Sequence, residues 1–183
     1  MKHILAAATL AVAFAGPALA EQTVMVGGQA MYPSKTIVQN AVNSKDHTTL
    51  VAAVKAAGLV DTLQGKGPFT VFAPTNAAFN KLPPGTVENL LRPEEKVTLT
   101  KVLTYHVVPG RYTSTRLREM IQEGHGRATL KTVEGGTLTL MMNGSNNIVI
   151  KDGKGDIADI VVYDVAQSNG EIFSIDQVLM PAS

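Results

Sequence analysis

Apart from His3 near the amino terminus, the histidines His47, His106 and His125 are the side chains best suited to acid–base or metal chemistry near neutral pH. None has a second histidine or a carboxylate three or four residues further on, so the spacing that sets two ligands on one helix face is missing. No Gly-x-Ser-x-Gly elbow and no His-Glu-x-x-His occur, and Gly65-Lys66-Gly67 lacks the spacing and the Ser or Thr of a phosphate loop. Scattered acids could converge as the carboxylate pair of a hydrolase, but no pair is singled out. Asp152 to Asp159 resembles a calcium loop, yet the alternating acids and terminal Glu of an EF-hand are absent and Lys154 sits among the would-be ligands. It reads as a solvated hairpin turn. The expectation is a protein without catalytic residues, metal or cofactor.

Tyr105 and His106 carry a sharper choice. They stand where a strong helix pattern runs into Val107-Val108-Pro109-Gly110, so their rings either meet a partner or tie the helix to a sheet. Recognition needs them partly exposed, whereas the structural role needs them buried and hydrogen-bonded.

The elements that must position these residues follow from pattern and punctuation. Glu21 to Pro33 has no sustained period and reads as an extended lead-in or a loose tail. From Ser34, a plausible cap, Ile37, Val38, Ala41 and Val42 fall at helical spacing. A second helix, capped by Asp46 or Thr48, carries Leu50, Val51 and Val54 and ends at Gly58. Phe69 to Ala73 is of strand length, Pro74 ends it, and Thr75 caps a helix with Ala77, Ala78 and Phe79. Pro83-Pro84-Gly85 breaks that helix and Val87 to Leu91 makes a short turn. Pro93, Glu94 and Glu95 then open the best helix, with Val97, Leu99, Val102, Leu103 and Tyr105 on its apolar side. The second half changes period: Ala128 to Val133, Thr137 to Met142, Asn147 to Ile150, Ile157 to Val165 and Glu171 to Ile175 are β-prone. Turn sequences such as Asn143-Gly144 and Ser168-Asn169-Gly170 separate them. Met141 and Met142 take opposite faces of one strand. The fold class is α+β, helices of the amino-terminal half packed on a mostly antiparallel two-sheet sandwich.

Three segments match a known pattern together: Thr70-Val71-Phe72-Ala73-Pro74-Thr75-Asn76-Ala77-Ala78-Phe79, Leu103-Thr104-Tyr105-His106-Val107-Val108, and Asn169 to Pro181. In order and spacing they resemble the fasciclin (FAS1) domain, its two signature boxes flanking a Tyr-His motif. The resemblance spans Ser34 to Pro181 and implies an extracellular or periplasmic adhesion and protein-interaction module. It also implies partner contacts around Tyr105, His106, Val107 and Val108. Asp156-Ile157 and Asp159-Ile160 form a second, slighter set, similar to acidic-aliphatic pairs used for receptor recognition in animal members. Where the family commonly has a histidine this chain has Phe173, and where it commonly has an apolar residue this chain has Glu171.

Compartment and charge bound the partner. Lys2 and His3 precede an apolar run from Ile4 to Ala15, and Ala18-Leu19-Ala20 is a small-x-small cleavage pattern. The run is shorter than the roughly 20 residues a membrane span needs, so residues 1–20 read as a signal peptide removed after Ala20. The organisation is then 1–20 signal, 21–33 lead-in and 34–183 FAS1 domain, secreted or periplasmic. Formal charge is +1 over the whole chain and zero without Lys2, which argues against nucleic acid and anionic membranes, since both need a basic patch. No cysteine is present, so the domain relies on its core, for which a 45% apolar composition suffices. Asn143-Gly144-Ser145 fits the glycosylation pattern but is more simply a turn. The functional expectation is a non-enzymatic module binding a cell-surface or matrix protein or polysaccharide, without membrane insertion and with weak self-association allowed. The alternative is a periplasmic carrier of a small ligand.

Overall fold

A computed structural model describes residues 22–182; the signal segment and its cleavage site lie outside the described residues. The lead-in is ordered as a hairpin, β1 (Val24–Val26) and β2 (Gln29–Met31), turned at Gly27 and Gly28, both at positive φ. Val26 and Met31 bury their side chains in the helical half of the core. Four helices surround the first long strand: α1 (Ile37–Ala41), α2 (Thr48–Ala57), α3 (Val60–Gln64), then β3 (Phe69–Pro74) and α4 (Asn76–Asn80). After α5 (Thr86–Leu90) come α6 (Lys96–Tyr105), β4 (Val107–Pro109) and α7 (Ser114–Glu123). Strands β5 (Arg127–Lys131), β6 (Thr137–Asn143), β7 (Asn147–Lys151), β8 (Ile157–Gln167) and β9 (Gly170–Ile175) complete the chain.

Local chemistry explains most boundaries. The first cap is Thr36, not Ser34: Thr36 Oγ1 accepts from Gln39 N at 3.3 Å while Gln39 Oε1 accepts from Thr36 N at 2.9 Å, a complete capping box. Neither Asp46 nor Thr48 caps α2; Asn76 reaches from α4 and takes Thr49 N at 3.0 Å. Gly58 ends α2 at φ 73°, and Thr75 caps α4. Pro93–Glu95 forms a separate 3-10 turn, so α6 begins at Lys96. Helix α7 is an element that pattern reading passed over. Thr113 caps it, and Leu117 and Ile121, four residues apart, bury its inner face.

The sheet corrects the expected sandwich. Seven strands form one sheet in the order β4-β3-β9-β8-β7-β6-β5, with β3 and β9 parallel and every other pairing antiparallel. Strand β8, 11 residues long, belongs to both halves, and its register shifts between Ile160 and Val165, where Asp164 sits at φ 52°. Such irregularities bend a strand, and here they let one sheet curl over itself. The curl brings the outer strands together: Val133 N, just past β5, donates to Val107 O of β4 at 2.8 Å. Alternate side chains fill the inside, among them Leu130, Leu138, Leu140, Ile148, Ile150, Ile160 and Ile175, with Leu117 and Ile121 closing one end. Each such burial stabilises by about 1.5–3 kcal/mol. Met142 packs partly against this core and Met141 is half-buried.

Candidate functional site

Tyr105 and His106 end α6, and the chain turns straight into β4 with Val107 and Val108. All four side chains are buried, Tyr105 and Val108 at 1%, His106 at 2% and Val107 at 6% exposure. Leu179 N donates to His106 Nε2 at 2.9 Å, so the proton lies on Nδ1, which donates to Val102 O at 2.8 Å. Burial holds the imidazole neutral, its pKa lowered to about 4 against weaker opposing effects of the Val102 carbonyl and Asp152. Tyr105 Oη donates to Thr137 O at 2.7 Å, and burial, then the charge of Asp152, pushes its phenol up. His106 O accepts from Phe72 N at 2.9 Å. The pair therefore joins α6 to β3, β6 and the carboxy-terminal segment. None of the four side chains reaches solvent, and what they position is the outside of α6.

That outer face carries Val97, Lys101 and Thr104 at helical spacing i, i+4, i+7, with Val97 82% exposed. Lys101 Nζ lies 3.8 Å from Glu134 Oε1 in the turn after β5, and Glu134 N donates to Thr104 O. The second candidate set is divided by the pleat of β8. Asp156 and Ile157 are exposed, Asp159 is half-buried and accepts from Asn147 Nδ2 at 2.9 Å, and Ile160 points into the core at 2% exposure. Val161, which pattern reading did not single out, joins Ile157 and Asp159 on the outer face.

The loop expected to be a solvated turn is built around a buried acid. Asp152 Oδ1 accepts from Lys154 N and Asp156 N, both at 2.9 Å, while Oδ2 accepts from Met180 N at 2.8 Å. Its carboxylate is committed to backbone and anchors the carboxy-terminal segment. His47 is equally committed: Ser44 Oγ lies 2.8 Å from Nδ1 and Ser174 Oγ 3.3 Å from Nε2, and burial lowers its pKa. Among the described residues, no three His, Cys, Asp or Glu side chains gather in a metal-binding group.

The departures in the last box have a structural answer. Phe173, fully buried, stacks on Phe72 with ring centres 5.7 Å apart and takes the edge of Tyr163 at 6.1 Å. Glu171 is also buried, with Arg111 Nη1 3.4 Å from its carboxylate. Burial dominates there, raising its pKa to about 7 against the pull of Arg111, and the charge of Asp164 adds to the rise.

A cavity of about 110 Å³ opens between α1, α2, α3 and the sheet. Leu50, Leu63, Val71, Val165 and Ile172 form its inner wall, and Lys55, Val38 and Val42 stand toward solvent.

The chain belongs to the fasciclin-domain family: the family model, Fasciclin domain, matches residues 45–181. It is 45% identical over 172 residues to Protein sll1483 of Synechocystis, covering 93% of this chain and 87% of that protein. It is 38% identical over 146 residues to Immunogenic protein MPB70 of Mycobacterium bovis, covering 77% and 66%. It is 35% identical over 161 residues to Cell surface glycolipoprotein MPB83 of the same organism, covering 85% and 64%. A solved FAS1 domain pair from the insect cell adhesion molecule fasciclin I superposes with a TM-score of 0.72 at 21% identity, over 81% of this chain and 52% of that one. That likeness shows the fold. The resemblance seen in the three sequence segments is thereby borne out. Among the described residues no helix is long and apolar enough to cross a membrane.

Proposed function

We propose that the protein is a non-enzymatic interaction module of the cell envelope or cell surface, binding a surface or matrix protein or polysaccharide. The observation that carries this reading is membership of the fasciclin-domain family together with a relative named as a cell-surface glycolipoprotein. The contact face is the outside of α6, where Val97, Lys101 and Thr104 stand over the buried Tyr105 and His106. Tyr105 and His106 then act by holding that face against the sheet, and one copy of the domain gains avidity through surface density or weak self-association.

The test is capture from intact cells and solubilised envelope by the purified protein, with Val97→Asp/Lys101→Glu and Ile157→Asp/Val161→Asp variants alongside. Saturable capture of a protein or polysaccharide, reduced by the first double variant and unchanged by the second, is the expected result. Reduction by the second variant alone moves the face to β8, and no capture by the unaltered protein rejects the reading.

The apolar cavity favours a second reading, a carrier of a small ligand outside the cytoplasm, because such sites are concave and largely hydrocarbon-lined.

A further inference from the structure

The cavity under α2 is specific about what it can hold. The histidines on its wall have no free nitrogen: His47 is engaged by Ser44 and Ser174, and His106 by Val102 and Leu179. Thr104 Oγ1, also on the wall, is donated to Thr100 O at 2.7 Å. Thr62 also borders the space but is exposed, so a guest deep inside meets mainly carbon, and a polar group there would lose its hydration without replacement. An apolar cavity of roughly 150 Å³ takes benzene, so 110 Å³ corresponds to about four carbon atoms of an alkyl end.

The rim adds a charge. Lys55, in the last turn of α2, is the charged residue on the lining; it is exposed and makes no ion pair among the described residues. Val38 and Val42 of the α1 segment line the same space, so hydrocarbon and the exposed side chain of Lys55 both border the opening, with the ammonium free to reach a group held there. We propose that this cavity binds the alkyl end of a small anionic amphiphile, with about four carbons inside and an acidic head at Lys55. The inference rests on the carrier reading; the cavity shares Thr104 with the contact face on α6, but the residues varied to test the two, Val54 and Lys55 against Val97 and Lys101, are separate.

Methyl-resolved NMR titration of the purified protein with sodium hexanoate, hexan-1-ol and hexylamine tests it, with Lys55→Gln and Val54→Phe variants. Hexanoate is expected to shift the methyls of Leu63, Val54 and Ile172 saturably and to bind more tightly than hexylamine. Lys55→Gln should weaken hexanoate about two- to fivefold and leave hexan-1-ol unchanged. Val54→Phe should exclude both by filling the space; Lys55 is exposed, so its variant stays informative if the phenylalanine variant does not fold. Hexan-1-ol binding without preference for hexanoate over hexylamine overturns the acidic head while leaving the carrier reading in place. Absence of saturable shifts with all three overturns both.

Discussion

The backbone N–H of Leu179 points at His106 Nε2 from 2.9 Å, a hydrogen bond between residues 73 apart in sequence that fixes the histidine's tautomer and ties the carboxy-terminal segment to α6. The bond requires a neutral ring. In the folded state the pKa is lowered to about 4, from 6.5 unfolded.

Acid should therefore weaken the fold through His106. Below the unfolded pKa the unfolded chain takes up a proton that the buried ring refuses, so this contribution is fully present above pH 6.5 and is lost as pH falls toward about 4. The loss amounts to about 3 kcal/mol. Urea denaturation of His106→Gln and of the unaltered protein at pH 7.5 and 5 measures it; the variant should be less stable at pH 7.5 and show a smaller fall between the two.

Glu171 should slope the other way. Its folded pKa is raised to about 7, so the folded state keeps a proton that the unfolded chain releases above 4.5, and stability declines as pH rises through that window. Glu171→Gln should remove that decline, gaining about 2 kcal/mol at pH 8 relative to pH 5 when compared with the unaltered protein. Thermal melts across that range check it, and parallel pH profiles for the two proteins would contradict it.

Phe173 should not tolerate the histidine common at its position in the family. The ring is fully buried between Phe72 and Tyr163, so Phe173→His removes apolar contact and buries a polar ring among carbon. A loss of about 3 kcal/mol is expected, with Phe173→Leu costing about half of that. Equilibrium unfolding in denaturant gives both values.

Asp152 should govern the carboxy-terminal segment. Its two oxygens accept three backbone N–H groups, including that of Met180, so Asp152→Ala removes all three bonds from partly buried donors and should cost about 1–3 kcal/mol. Hydrogen exchange at Met180 and Leu179 should quicken more than exchange in β6, and equal acceleration throughout would refute the local role.

Much of this architecture was legible in the sequence because it is written in local chemistry. Gly58, Thr75 and the Asn143-Gly144 turn sit where their conformational preferences place them. What stayed hidden depends on residues far apart in the chain. Asn169 reads as a turn residue, yet its side chain takes Ile37 N and donates to Leu63 O and Gly65 O, joining α1, α3 and β9. Asp152 reads as a solvated acid for the same reason: its partner Met180 is distant in sequence. The single curled sheet was invisible because the bend at Asp164 is a register change within one strand, and alternation of apolar residues continues on both sides of it. At the candidate site the Tyr-His motif was readable as a junction, whereas the direction of its rings was set by the packing of Phe72, Thr137 and Leu179 around it.

The bond between Val133 and Val107 has a consequence for life in a crowded compartment. A sheet that ends in free strands invites a neighbour to add its own strand, and growth by that route has no natural stop. Here the outer strands lie beside each other at the join, and α7 packs against β5 and β6 with Leu117 and Ile121 in the core. At this join the backbone that a neighbouring strand would need is partly taken up within the domain itself, which narrows the room for strand addition there.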